Sequence, residues 1–291
     1  MVFLQQVFSG IALGCIYALI ALGFVLIYKA TETVNFAQGE LMMLGAFAGL
    51  VLVKFVGLPF WGAVAVAVAG MVGFGALLER LVIRPVLGQP QFTVVLLTIG
   101  LGYVTRGLIT MVPVIGSETS PLDSPFKGQV WDFGGLVLSY EQLLVIAVTV
   151  LLCAGFYLVF KHTRVGIAMQ AASQNQLAAY YMGIPVKRLN GLVWGLSAGA
   201  AALAGLLLAP ITFVHANMGF IGLKAFPAAV VGGFGSLPGA VVGGLGIGVV
   251  ESLSGYYLPE GFKDVAAYVV VLLMLMVKPN GLFGTATRKK V

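Results

Sequence analysis

The chain has 291 residues, of which 60% are hydrophobic and only 9% charged, and its mean hydropathy is +1.04. Because soluble domains carry about 25% charged residues, this composition excludes an ordinary soluble protein and predicts an all-α membrane protein, a polytopic helical bundle. The formal net charge is +6, but the basic residues lie at the ends of apolar segments and form no stripe, which excludes a nucleic-acid-binding surface.

The first apolar run is about 22 residues long and follows no basic segment, so we expect a retained membrane span and not a signal peptide. A bilayer core about 30 Å thick requires about 20 apolar residues per helix. The candidate spans on this criterion are residues 6–28, 36–56, 59–83, 92–114, 140–160, 190–213 and 265–283.

A less regular apolar region covers residues 219–256, before the last candidate span. The turn at 235–239 divides it into halves of about 16 residues, each short for a full crossing. A re-entrant hairpin and two tilted helices both fit this pattern, and either returns the chain to the side that it left. The sequence therefore predicts about eight spans, with one broken or re-entrant segment, within a single transmembrane domain, 1–291.

The basic residues predict the orientation, because Lys and Arg favour short loops on the cytoplasmic side. With the loop 161–190 and the C-terminal residues 288–290 in the cytoplasm, together with Lys29, Arg80, Arg84 and Lys278, eleven of the sixteen basic residues fall on that side. Seven of the ten acidic residues then fall outside. We expect the N-terminus and the loop 115–139 outside, and the C-terminus in the cytoplasm.

The loop 161–190 is the most polar segment of the chain, with four basic residues, no carboxylate and a cluster of amides. Its pattern predicts two short helices, the first at about 165–172. Ser173 and Gln176 have capping-box spacing at the start of the second, and Gly183 is suited to a left-handed stop. The loop is either an ordinary solvated connection or a docking surface that transmits motion from another subunit.

Three polar residues, Asn35, Gln38 and Glu40, stand beside the second span. Burying a polar group without a partner costs about 2–7 kcal/mol, so such residues find partners, line water or lie at the interface. Among these three residues, Glu40 is the most unusual, because it is an acid followed directly by apolar residues. It is either a pathway or gate residue, or an interfacial acid near a helix N-terminus, where the helix dipole favours it.

Arg106 and Lys224 also interrupt apolar runs. We expect each side chain to extend to the outer surface, with an ion pair to an external acid as the alternative. Glu251 comes late in its apolar segment, so we expect it at the interface by the same reasoning.

Glycine pairs surround the turn 235–239, and non-helical backbone at membrane depth persists only where protein or a wet cavity satisfies it. The segment is either a tight helix hairpin packed through glycines or a broken element beside a path. The polar junctions 35–40 and 215–219 each precede a Gly/Ala-rich segment, which indicates either an inverted repeat or chance similarity. The candidate pathway residues are Asn35, Gln38, Glu40, Asn217, Gly232, Gly233, Gly235 and Pro238.

Several catalytic motifs are missing from the sequence. It contains no G-x-x-x-x-G-K-[ST] phosphate loop, no H-E-x-x-H, no C-x-x-C and no G-x-S-x-G. Cys15 and Cys153 lie in apolar segments without metal-ligand spacing, so we interpret both as packing residues. We therefore expect no enzyme activity, metal or cofactor in this chain, and ATP-driven transport would require a separate nucleotide-binding chain.

Three blocks, at 35–49, 163–184 and 225–251, resemble the permease subunits of ABC importers for branched-chain amino acids, of the LivH type. The resemblance covers essentially the whole chain. It implies a bacterial plasma (inner) membrane location, a second homologous permease, two cytoplasmic ATPase subunits and an external, periplasmic substrate-binding protein. The positions that match the family's ATPase-coupling segment are Arg164, Gly166, Ala171, Ala172, Asn175, Ala178, Ala179 and Gly183.

The chain departs from the family pattern at two positions. Gln38 stands where many members have His, and Gln170 stands where many have Arg. The first departure leaves the exact substrate open, and the second removes a charged contact to the ATPase.

The resemblance and the residues together predict half of a pathway for leucine, isoleucine and valine, or for a related small amino acid or amide, worked by alternating access. The alternative is a secondary transporter driven by an ion gradient, which usually places acids near the bilayer midplane. Only Glu40 and Glu251 are available for that role. A membrane enzyme or a scaffold is the third hypothesis, and the lack of a clustered polar site argues against the enzyme.

Overall fold

The structure is a computed structural model that describes residues 1–113, 115–116, 118–134 and 136–284. The basic residues 288–290, used above to predict orientation, lie outside the described residues. The α-helices are α1 (Val2–Thr31), α2 (Gln38–Lys54), α3 (Phe60–Leu78), α4 (Gln91–Thr110), α5 (Tyr140–His162), α6 (Arg164–Gln174), α7 (Gln176–Tyr181), α8 (Val186–Thr212), α9 (Met218–Leu223), α10 (Ala225–Gly232), α11 (Leu237–Tyr257) and α12 (Phe262–Val277).

Short turns and one hairpin complete the fold. A π-helical turn, Glu79–Ile83, and a 3-10 turn, Arg84–Val86, continue α3. The strands β1 (Val130–Phe133) and β2 (Leu136–Ser139) form an antiparallel hairpin before α5. The sequence did not predict this hairpin within the loop 115–139.

Among the described residues, six helices are long and apolar enough to cross a membrane: α1, α3 with its extension to Val86, α4, α5, α8 and α11. Helices α2 and α12 are shorter, with 17 and 16 residues. Helices α9 and α10 together form a shorter apolar element, Met218–Gly232. The chain is therefore a polytopic helical membrane protein, as predicted.

The helix ends gather at two opposite rims of the bundle. One, the loop rim, carries α6 and α7. There Gln91 at the start of α4 donates a hydrogen bond to the carbonyl of Glu32, which follows α1, at 3.2 Å. The ring of Tyr28 near the end of α1 contacts that of Phe234, which precedes α11, with centroids 4.9 Å apart. The backbone N–H of Leu282, after α12, also reaches this rim and donates to α10.

The other end, the hairpin rim, carries β1 and β2. Gln5 at the start of α1 exchanges hydrogen bonds with the backbone of Val137 on β2. Ser120 forms an antiparallel bridge with Val214, which follows α8. The start of the chain and residue 284 consequently lie at opposite rims of the bundle.

The region 219–256 differs from the prediction of two short halves. Ser236 caps α11 by accepting a hydrogen bond from Gly239 N at 3.1 Å, and Pro238 stands in the first turn. Because the helix begins inside the predicted turn and continues to Tyr257, α11 has 21 residues, enough for a full crossing. The chain turns at residues 233–236, between α10 and α11, close to the predicted turn. A further interruption lies in the first half, at Lys224, where α9 ends and α10 follows. The α9–α10 element itself leads from the hairpin rim to the loop rim.

Helix α1 forms the centre of the bundle, packed along α11 through small residues. Gly10 and Gly14 face Gly244 and Gly248, so that each helix presents glycines four residues apart. A Cβ atom on Gly14 would stand 2.7 Å from the Cα atom of Leu245. Without side chains at these positions the two backbones approach closely, which is how membrane helices gain packing energy in lipid.

Candidate functional site

The segment 32–37 between α1 and α2 is non-helical and enters the bundle, and Asn35 and Gln38 supply its internal hydrogen bonds. Asn35 Nδ2 donates to Gln38 Oε1 at 3.2 Å, and Gln38 Nε2 donates to the carbonyl of Ser197 at 3.2 Å. Ser197 Oγ in turn donates to the carbonyl of Gly23 at 3.0 Å. Both predicted pathway amides are fully buried. Asn35 Oδ1 also accepts a hydrogen bond from the non-helical backbone N–H of Ala37 at 3.1 Å, so the two amides satisfy this segment and tie it to α8.

Glu40, in the first turn of α2, forms an ion pair with Arg106 of α4. Glu40 is only 5% exposed, so it is not a solvent-exposed interfacial acid. The predicted extension of Arg106 to the outer surface is also wrong, because its side chain turns inward to the carboxylate. The reason is tertiary: the segment 32–37 brings the start of α2 to the middle of α4, where Phe36 N donates to Thr98 Oγ1 at 3.2 Å.

The start of α9 also meets the start of α2 at this pair. A Cβ atom on Gly219 would stand 2.7 Å from Glu40 Oε1, and one on Gly222 would stand 2.5 Å from the Cα atom of Gly39. The two junctions that the sequence pattern related are therefore neighbours in space. The inverted repeat itself stays a prediction.

A cavity of about 230 Å³ opens beside the ion pair. The guanidinium of Arg106 stacks over the ring of Phe220, 3.9 Å from its centroid. Arg106 Nε is buried and has no hydrogen-bond partner among the described residues. The lining residues are Phe36, Glu40, Ile99, Gly102, Tyr103, Arg106, Phe220 and Leu223.

A second internal ion pair holds the break between α9 and α10. Lys224 Nζ lies 3.1 Å from Glu251 Oε1 and 2.6 Å from Asp264 Oδ1. Tyr17 donates its hydroxyl hydrogen to Glu251 Oε2 at 2.6 Å. Glu251 is 2% exposed, so protein surrounds its carboxylate, and its predicted position at the interface stays a prediction. Lys224 follows the predicted alternative, an ion pair, because α11 and α12 bring two carboxylates to the break.

The remaining predicted pathway residues do not join the Glu40 cavity. Asn217 is exposed at the start of α9. Gly232 packs against the backbone of Gly239 where α10 and α11 meet, and Gly233 contacts the segment after α12. Gly235 and Pro238 are exposed at the loop rim, and Pro238 borders a separate apolar groove.

The two helices of the 161–190 loop exist, but Asn175 and not Ser173 caps the second. Asn175 Oδ1 accepts a hydrogen bond from Ala178 N at 2.9 Å. Ser173 Oγ instead donates to the carbonyl of Gln170 within α6, which extends two residues further than predicted, to Gln174. The capping-box prediction is therefore wrong, because Asn175 is itself a favoured capping residue and its extended backbone aims the side-chain oxygen at the next turn.

Two glycines shape this loop in different ways. Gly183 has a φ of +84°, which confirms the predicted left-handed stop after α7. Gly166 lets α6 approach α5, since a Cβ atom there would stand 2.5 Å from the Cα atom of Phe160. The matched coupling positions divide by burial: Gly166, Ala172 and Ala179 are buried, whereas Arg164, Ala171, Asn175, Ala178 and Gly183 are exposed.

Helix α7 presents an exposed apolar surface, which we call the α7 surface and define by Leu177, Tyr180, Tyr181 and Met182. All four side chains are exposed, and Met182 reaches 83%. On the other side of α7, the side-chain amide of Gln176 donates a hydrogen bond to the carbonyl of Ala30 in α1. The sequence predicted helix α7, but it did not predict the contact between α7 and α1.

Interrupted helices, ion pairs inside the bundle, a cavity beside one pair and a protruding apolar helix are together the features of a transmembrane permease. The family described as "Branched-chain amino acid transport system / permease component" matches residues 6–278. The chain belongs to this family.

Relatives within the family match along nearly their full length. LivH of Escherichia coli K12, a high-affinity branched-chain amino acid transport system permease protein, is 33% identical over 99% of this chain and 98% of its own. BraD of Pseudomonas aeruginosa, with the same description, is 32% identical over 99% and 98%. A probable LivH of Methanocaldococcus jannaschii is 30% identical over 93% and 89%.

Proposed function

We propose that this chain is the transmembrane subunit of an ABC importer that carries leucine, isoleucine and valine, or related small amino acids or amides, and that separate ATPase subunits drive it. The α7 surface carries the proposal. Exposed aromatic and aliphatic side chains on a short protruding helix suit a groove on another subunit. The loop that bears them has basic residues and no carboxylate. The substrate class is that of the similar permeases LivH and BraD.

The proposed assembly places two ATPase subunits under the loop rim, a second homologous permease beside this chain and an external binding protein at the hairpin rim. The loop rim would face the cytoplasm of a bacterium and the hairpin rim the outside of its inner membrane, and the two permeases would form a heterodimer. Charge supports this orientation. The described basic residues near the loop rim are Lys29, Arg80, Arg84, Lys161, Arg164, Lys187, Arg188 and Lys278.

The proposed mechanism is alternating access. ATP binding and hydrolysis in the partner subunits would displace α6 and α7, and the contact between Gln176 and Ala30 would carry that displacement into α1. Because α1 packs along α11 through close backbone contacts, the two helices would move together. The chain has no phosphate-loop sequence, so the nucleotide would be bound entirely by the partners.

Site-specific photo-crosslinking tests the docking surface. A photoreactive residue in place of Tyr180 should capture an ATPase subunit in native membranes. The same residue in place of Tyr257, an exposed tyrosine at the other end of the bundle, is the matched control and should not. Capture of no ATP-hydrolysing partner at Tyr180, with intact expression of the complex, would refute the proposed function.

An ion-gradient transporter is the second candidate, and one observation favours it. Glu40 and Glu251 are buried acids inside the bundle, a placement common in such transporters. Each, however, has a cationic partner in the same chain, Arg106 or Lys224, which leaves neither carboxylate free for a coupling ion. The purified chain alone in liposomes decides between the two candidates: leucine uptake driven by a proton or sodium gradient without ATPase would establish the second.

A further inference from the structure

The cavity beside Glu40 and Arg106 combines two opposite charges with apolar walls. We propose that this cavity is a transient binding site, within the membrane, for a zwitterionic α-amino acid with an apolar side chain. The substrate carboxylate would contact Arg106, its ammonium group would contact Glu40, and its side chain would lie against the apolar wall. This proposal rests on the proposed function, since it assigns the contact that the transported molecule makes with this chain.

Arg106 has the free hydrogen-bonding capacity that the substrate carboxylate needs. One terminal nitrogen of its guanidinium contacts Glu40, while Nε is buried and without a partner among the described residues. The stack over Phe220 fixes the plane of the guanidinium. A planar guanidinium held in this way recognises a carboxylate through two parallel hydrogen bonds, which satisfies the orphaned Nε.

The carboxylate of Glu40 is held at a fixed position. It lies in the first turn of α2, where the helix dipole favours a negative charge. Because residues 102 and 219 are glycines, there is a narrow slot for the Glu40 carboxylate. A Cβ atom on Gly102 would stand 3.2 Å from Glu40 Oε2, and one on Gly219 would stand 2.7 Å from Glu40 Oε1. A carboxylate that is fixed within a narrow slot at the cavity wall is an acceptor suited to an ammonium group.

The walls select the side chain of the ligand. Phe36, Ile99, Phe220 and Leu223 line the cavity and present only apolar groups. An aliphatic side chain is stabilised against these four residues because it leaves water, whereas a polar side chain finds no hydrogen-bond partner among them. The remaining lining residue with a polar group, Tyr103, lies at the exposed opening. The combination selects amino acids with apolar side chains.

The cavity opens on the outer side of α4, where Tyr103 is 67% exposed. An ion pair that borders lipid at membrane depth is unfavourable. We therefore place this opening toward the path between this chain and the second permease, where a molecule in transit can enter sideways. When the cavity is empty, Arg106 and Glu40 pair with each other. When a zwitterion binds, its carboxylate pairs with Arg106 and its ammonium group with Glu40, so no charge is left without a partner.

Direct ligand binding to the complete transporter complex tests the proposal. The complex is reconstituted in nanodiscs without the external binding protein, and saturable binding of radiolabelled leucine is measured. Competition is then measured with 4-methylpentanoate, which lacks the ammonium group, and with 3-methylbutylamine, which lacks the carboxylate. We expect both to compete at least about tenfold more weakly than leucine, because each leaves one protein charge without its substrate partner.

Variants locate the binding to this cavity. The double variant Glu40→Gln/Arg106→Gln removes both charges together and should lose leucine binding by at least about tenfold. The matched control is Asp123→Asn/Lys127→Gln, which removes an exposed ion pair elsewhere in the chain and should bind leucine like the wild type. Arg106→Lys keeps the charge and the pair with Glu40 while losing the planar fork. It should weaken leucine binding even if the double variant fails to fold.

The outcomes separate this proposal from the proposed function. Failure of the wild-type complex to import leucine with its binding protein and ATP would refute the proposed function. Import without saturable leucine binding, or unchanged binding and analogue selectivity in Arg106→Lys and in the double variant, would overturn the site alone. If the ion pair is purely structural, the variants should be less stable but should still bind leucine and its two analogues in the same order of affinity. That outcome would also overturn the proposed site.

Discussion

The side-chain amide of Gln176, the first residue of α7, donates a hydrogen bond to the backbone carbonyl of Ala30 in the last turn of α1. The α7 surface lies on the exposed side of the same short helix. A force applied to that surface therefore has a direct route to the central helix of the bundle.

We expect Gln176→Ala to reduce ATP-driven leucine uptake several-fold while the ATPase subunits remain bound. The variant removes the contact with Ala30 but leaves the α7 surface unchanged. Uptake and ATP hydrolysis are measured together in proteoliposomes of the complete complex. Gln174→Ala, at the exposed end of α6, is the control and should behave like the wild type. If Gln176→Ala and Gln174→Ala have the same ratio of leucine transported to ATP hydrolysed, the contact between Gln176 and Ala30 does not transmit motion.

Asn175→Ala should destabilise α7 by about 1 kcal/mol, because the amide at Ala178 loses its capping acceptor. Asn175→Asp keeps an acceptor and should retain the helix. Hydrogen exchange at the amides of α7 measures the effect, with faster exchange expected in Asn175→Ala alone.

Ser173→Ala is the informative comparison for that experiment, because sequence spacing favoured Ser173 as the cap. The structure has Ser173 donating to the carbonyl of Gln170 within α6. Its replacement should leave exchange in α7 unchanged, and a larger effect than that of Asn175→Ala would contradict the assigned cap.

Lys224→Met should lower the free energy of unfolding by about 3 kcal/mol, because Glu251 is left buried without its cation. Asp264→Asn should cost less than about 1 kcal/mol, since Asp264 is 73% exposed and Lys224 keeps its bond to Glu251. Thermal unfolding of the purified chain compares the two variants. The double variant Lys224→Met/Glu251→Gln should recover part of the loss, and no recovery would argue that Lys224 acts through packing and not through its charge.

Gly14→Ala should destabilise the bundle by about 1–3 kcal/mol, because the added methyl group overlaps the backbone of α11 at Leu245. Gly246→Ala is the matched control within α11, since a Cβ atom there meets nothing within 4 Å. It should be neutral or slightly stabilising, as alanine favours the helix. Denaturant titration in detergent measures both, and similar midpoints for the two variants would contradict the close crossing of α1 and α11.

Local patterns predicted most of the helices, because a span requires an apolar run that any window of the sequence reveals. They failed where two local signals competed. In the 161–190 loop, Ser173 and Asn175 are both good capping residues, and only the backbone conformation at Asn175 selects one. In the region 219–256, the turn residues were correctly noted, but the extent of α11 depended on Ser236 capping a helix that begins within that turn.

The sequence by itself determined that this chain is a polytopic helical membrane protein with a basic, carboxylate-free loop, since hydropathy and charge can be read over short distances along the chain. Only the tertiary structure decided the partners of its intramembrane charges. Glu40 and Arg106 are separated by 66 residues, and Lys224 and Glu251 by 27. Each pair forms because helix packing brings the two charges together where water is scarce, and no local pattern records that proximity.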